Sequence, residues 1–222
     1  MATAAKKSKK LPITDDSIIE KFMNDVLQDN QEPKNVYVFC QKHGIEESEF
    51  YSFFGSMNSL KQNIWLKFFE NTTQTILQDN KFGEYSNKNK LLTMYFTFFE
   101  VLTLNRTYIL FYFKDKKEGF SNLSNLKSLR TDFKKFVEEN LSRKENLISE
   151  KFTKVTQSAY AEGAWMQFLF LLKFWLDDDS KGFEKTDVLI EKSVNTVMDL
   201  METKHLENIV DLGKFLWKEK FN

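Results

Sequence analysis

The chain has 222 residues, 41% of them hydrophobic, with only 7 Gly and 2 Pro. Such a length and apolar content supply a sizeable core, while so little turn chemistry excludes a many-stranded β protein and points to an all-α one. The 32 basic and 32 acidic side chains cancel, which excludes a surface coated for polyanions but leaves room for a local basic patch.

Residues 1–12 read as a flexible basic arm carrying Lys6, Lys7, Lys9 and Lys10. No apolar stretch follows those lysines, so the arm does not read as a secretory signal. Four lysines in a tail support either an arm that follows a nucleic-acid backbone or a solubilising tail. Thr14, Asp15 or Asp16 is placed to cap a first helix. Its apolar positions Ile19, Phe22, Met23, Val26 and Leu27 share one face. The run "QDNQEP" ends it. A short second helix is expected over Val36 to His43, stopped by Gly44, and a third over Glu47 to Phe54. After Gly55, Ser56 is placed to cap a long fourth helix reaching about Gln78.

Beyond "DNKFGEYSNKN" come further helical segments, at about Lys88–Leu104, Thr107–Lys114, Leu123–Asn140, 145–176 as one helix or two, and Lys185–Met201. A last amphipathic piece is expected over Leu206 to Phe221. The most apolar stretch, Leu91–Leu104, is interrupted by Thr93, Thr97, Glu100 and Thr103. It is also shorter than the ~20 residues a membrane helix needs, so no membrane partner and a cytoplasmic location are expected.

No chemistry-bearing constellation emerges. Cys40 is the only cysteine, and His43 and His205 are far apart in sequence, so neither a disulfide nor a metal signature is present. No Gly-rich phosphate loop or nucleophile–base set appears, and no enzyme, cofactor or metal is expected. The acidic run Asp177–Ser180 reads as a helix end with its cap, because adjacent helical carboxylates diverge by about 100°. Tyr95, Phe99, Tyr108, Tyr112, Trp165 and Phe168 are candidates for an apolar ligand pocket, the alternative being a packed core. The tyrosines are the better candidates, because a buried hydroxyl needs a partner. "AEGAWMQFLFLLKFW" is apolar on nearly every face and must be covered all round. With the stripe Ile190, Val194, Val197, Met198 and Met201, it suggests a four-helix homodimer interface involving Phe170 and Phe174; a central helix of a monomer is the alternative.

The segment "NVYVFCQKHGIEESEFYSFFGSMNSL" resembles the DNA-binding helix-turn-helix of tetracycline-repressor (TetR) family regulators. Val36 and Phe39 take its two branched-apolar positions, and Cys40 replaces its small alanine. Gly44 and Ile45 form its turn, and Phe50, Tyr51, Phe54 and Leu60 complete the pattern. "FWLDDDSKGFEKTDVLIEKSV" is similar to the late dimer-forming region of a subset of that family. The resemblance implies an N-terminal three-helix helix-turn-helix domain (13–56). A long helix would join it to a C-terminal helical ligand-binding and dimerisation domain (57–222). It also implies a homodimeric one-component regulator that binds DNA and answers to a small, mostly apolar effector. Ser48, Tyr51, Ser52, Lys61 and the arm lysines are then the expected DNA contacts.

The departures concern charge. Glu46 stands where the family usually has Ser or Thr, Glu47 and Glu49 follow it, and Met57 replaces a phosphate-reaching Lys. Between Leu11 and Glu70 there are five Lys, no Arg and ten acids, a net charge of −5. One carboxylate about 8 Å from a phosphate costs only ~0.5 kcal/mol in water, but several together oppose the counterion release that drives DNA affinity. A dimeric ligand-binding or protein-interaction module that has lost DNA binding is therefore the alternative.

Overall fold

The computed structural model describes residues 12–113, 126–141 and 150–202. Among them there are nine α-helices and no strand, so the fold is all-α, as composition required. The basic arm and the expected last helix, Leu206 to Phe221, lie outside the described residues.

The helices begin and end where local chemistry puts them. In α1 (Asp15–Asp29) the cap is Thr14: its Oγ1 accepts from Ser17 N at 3.1 Å, and Thr14 N donates back to Ser17 Oγ at 3.0 Å. The helix closes at Asn30, in the left-handed region at φ 49°. Asn35 Oδ1 accepts from Val38 N at 2.9 Å to start α2 (Val36–His43). Gly44 ends α2 at φ 61°, a conformation a side chain would strain. α3 (Glu47–Phe53) follows at once, and Glu46 N donates to Glu49 Oε2 at 3.0 Å. Glu49 therefore serves its own helix start. Ser56 and Ser59 exchange the same pair of bonds at the start of α4 (Met57–Leu77).

Then come α5 (Asn87–Leu104), α6 (Arg106–Tyr112), α7 (Lys127–Asn140), α8 (Glu150–Asp177) and α9 (Glu184–Glu202). The stretch expected as one helix or two is the single α8. A turn of 3-10 helix, Lys181–Phe183, precedes α9.

Contacts divide the chain into two compact units: Met1–Trp65 with Asn105–Lys127, and Leu66–Leu104 with Ser128–Asn222. In the first, α1, α2, α3, the start of α4 and α6 enclose a core centred on Phe39, which is fully buried. Its ring meets those of Phe22 and Phe50 edge-on, at 6.3 and 6.1 Å. Ile45 and Cys40 are buried beside it, at 4% and 1% exposure, so the small-residue position is occupied by a thiol packed as an apolar group. Trp65 packs on Tyr112 of α6 at 5.6 Å.

In the second unit the end of α4 and helices α5, α7, α8 and α9 share a core rich in phenylalanine. Phe98 stacks on Phe168 at 5.0 Å, and Phe133 meets both Trp165 and Phe168 at 5.5 Å. Among the described residues no helix is long and apolar enough to cross a membrane.

Candidate functional site

The first candidate is the face made by α2, its turn and α3. Because Phe50 and Phe54 point into the core, the 3.6-residue period leaves Ser48, Tyr51 and Ser52 exposed, Tyr51 by 51%. Ser52 Oγ donates to Glu49 O at 2.7 Å. Lys61 lies under an acid: its Nζ sits 3.0 Å from Glu32 Oε2 and its side chain is only 17% exposed. Lys42 is spent likewise, at 2.9 Å from Asp25 Oδ1 and 2.8 Å from Asp29 Oδ2. His43 Nε2 lies 2.8 Å from the other Asp25 oxygen. Burial alone would raise the Asp25 carboxyl, but the hydrogen bonds with Lys42 and His43 outweigh it and hold it below the ordinary range. Glu46 and Glu47 are exposed. Burial pushes the Cys40 thiol up, and Glu47, Glu46 and Glu49 push it further. The acidic tip thus acts electrostatically on the neighbouring helix, and Cys40 is held as a thiol, unsuited to nucleophilic work. Lys6, Lys7, Lys9 and Lys10 lie outside the described residues.

The second candidate is the interior of the C-terminal unit. Tyr95, Phe99, Trp165 and Phe168 come together there, all buried. Tyr95 Oη donates to Ala164 O at 2.7 Å, which answers the demand of a buried hydroxyl, and burial pushes the phenol well above its usual range. Tyr108 and Tyr112 belong to the other unit, where they too are buried.

An open cavity of about 370 Å³ lies between the end of α5 and the α8–α9 junction. Phe96, Phe99, Trp175 and Phe183 line it together with Glu100 and Asp187. Of the six aromatic residues expected to bind ligand, only Phe99 takes part. The missed residues had left a weak signal, since Glu100 interrupts an apolar run and Gly182-Phe183 follows an acidic helix end.

The junction is braced by Asp178. It accepts from Ser180 N (2.9 Å) and Oγ (2.7 Å) with one oxygen, and from Thr186 N (3.0 Å) and Oγ1 (2.6 Å) with the other. Burial would raise this carboxyl, yet the bonds from Thr186 and Ser180 bring it down to about 2. The acidic run is thus a helix end and cap, and its middle member joins α8 to α9. Phe183 adopts the left-handed region at φ 61°, which costs a bulky residue on the order of 1–3 kcal/mol. Its ring lies 6.0 Å from that of Trp175.

Of the residues expected at a dimer interface, Phe170 and Phe174 are exposed, by 55% and 38%. Met166 extends their stripe at 63%. Ile190 and Val194 are fully covered within the single chain, and Val197 is half-buried. The Met201 side chain is outside the described residues.

No curated protein matches the chain. The family model described as "Tetracyclin repressor-like, C-terminal domain" matches residues 90–216, a span from α5 through α9 that includes the cavity and the exposed α8 stripe. Covering more than half of the sequence, and joined to an all-α fold with a helix–turn–helix at its start, that match shows that the chain belongs to the tetracycline-repressor-like (TetR) family.

Proposed function

We propose that the protein is a TetR-like one-component transcriptional regulator that binds DNA as a homodimer and releases or reorients on it in response to a small, mostly apolar effector. The observation that carries this reading is the α2–Gly44–α3 geometry, which presents Ser48 and Tyr51 on the outer face of a short helix. In a dimer, two such helices would enter neighbouring major-groove half-sites. Tyr51, Ser48, Ser52 and Lys61 would make the contacts, with Lys6, Lys7, Lys9 and Lys10 following the backbone. The Met166, Phe170 and Phe174 stripe supports pairing through α8, since a row of exposed large apolar side chains marks an interaction surface. The effector would bind among the aromatic residues of the C-terminal unit. α4, whose two ends belong to different units, would carry the change to the reading helices.

Fluorescence anisotropy with labelled DNA from upstream of the protein's own gene tests this. Specific binding that weakens steeply with salt is expected; no binding to any DNA at low salt would end the reading.

A second reading is a family member that has given up DNA binding for ligand or protein interaction. What favours it is the fate of the lysines. Lys42 and Lys61 are engaged by Asp25, Asp29 and Glu32, while Glu46 and Glu47 are exposed at the tip. Replacing Glu46, Glu47 and Glu49 by Ser, Lys and Thr should then create an affinity that the parent lacks. Tight operator binding by the parent would eliminate this alternative.

A further inference from the structure

We propose that the cavity between the end of α5 and the α8–α9 junction binds an organic cation with an apolar body, of the quaternary ammonium or aromatic amine class. The inference rests on the effector reading above and names the site and the ligand's charge. A volume of about 370 Å³ falls within the range of small-molecule sites. Phe96, Phe99, Trp175 and Phe183 supply aromatic lining, and a cation is held against such rings by their quadrupoles, an attraction a neutral ligand does not share.

The two charged groups of the lining, Glu100 and Asp187, are both acids. Among the described residues neither has a basic partner. Lys185, the nearest Lys on α9, turns to Asp179 at 3.6 Å. Burial raises the Asp187 carboxyl, and Glu191 and Asp178 raise it further, so the acids around it add to one another there. Phe183, in the left-handed conformation, forms part of the aromatic wall, and such outliers gather at ligand sites. An anion would meet two carboxylates, and a neutral molecule would leave them unanswered.

The test is calorimetric titration of the full-length protein with benzyltrimethylammonium, benzyl alcohol and phenylacetate, with no DNA present. The cation is expected to bind at least tenfold more tightly than the alcohol, and phenylacetate not measurably. Glu100→Gln and Asp187→Asn should each weaken the cation several-fold and leave the alcohol unchanged. Glu100 is exposed, so E100Q remains decisive even if D187N folds poorly. Equal affinity for cation and alcohol, unchanged binding in E100Q, or no binding of the cation overturns the proposal. Because DNA is absent, the outcome is independent of operator binding. Cation binding that leaves an operator complex intact would remove the effector role while the site stands, whereas a regulator with an inert cavity would remove the site alone.

Discussion

Replacing Asp178 with Asn should destabilise the protein by about 2–3 kcal/mol at neutral pH, and that loss should shrink on acidification. Asp178 is 5% exposed and accepts four hydrogen bonds across the α8–α9 junction. The amide would turn an NH2 toward one pair of those donors. A carboxyl at about 2, against the ordinary 3.8, corresponds to roughly 2 kcal/mol in favour of the ionised fold, at about 1.36 kcal/mol per pH unit. The native value is depressed, so this stability is fully present above the unfolded value of 3.8. It is lost as pH falls through about 2. Roughly half should be gone by pH 3.

Urea unfolding of wild type and D178N at pH 7, 5 and 3 measures the gap directly, and the titrations of other carboxylates cancel in the difference. A gap that is flat from pH 7 to 5 and about half as large at pH 3 is expected. Thr186→Val should cost less when added to D178N than alone, because both remove the same bonds. A gap below about 0.5 kcal/mol at pH 7, or one unchanged down to pH 3, would refute the bracing role.

Glu32→Gln frees Lys61, so operator binding should tighten several-fold, and the slope of log K against log salt should steepen by about 0.9 for one added phosphate contact; an unchanged slope would remove Lys61 from the interface. Phe170→Glu places a charge in the exposed α8 stripe, so sedimentation should show the dimer dissociating at micromolar protein while thermal stability shifts little; a variant that sediments like wild type would exclude this face. Cys40, 1% exposed with its thiol held up by burial and the nearby glutamates, should react with a thiol reagent only as fast as the unit opens, and rapid labelling of the native protein would contradict its packing.

Much of the architecture could be read from the sequence, since caps and periods are local facts. Thr14, Asn35, Gly44 and Ser56 each act on backbone groups within four residues, so the first four helices begin and end close to where their residues place them. Gly44, Phe39 and Phe50 likewise sit where the family pattern puts them, because a two-helix turn leaves few packings. The candidate site was less legible. Tyr95 and Phe168 belong to a filled core, while Glu100, Phe183 and Asp187, from three separate elements, meet only in the folded C-terminal unit.

By itself, then, the order of residues determined the helical class, the starts and stops of the helices, and the surplus of carboxylates on the short third helix. Tertiary structure alone decided which charges are spent, pairing Lys61 with Glu32 across 29 positions of chain and Lys42 with Asp25 and Asp29. It also decided which apolar side chains remain uncovered, closing over Ile190 and Val194 but leaving Phe170 in the open. The physical reason is range: a cap or a helical period is fixed within one or two turns, whereas an ion pair, a cavity wall or an exposed stripe depends on which distant surfaces have already closed against each other.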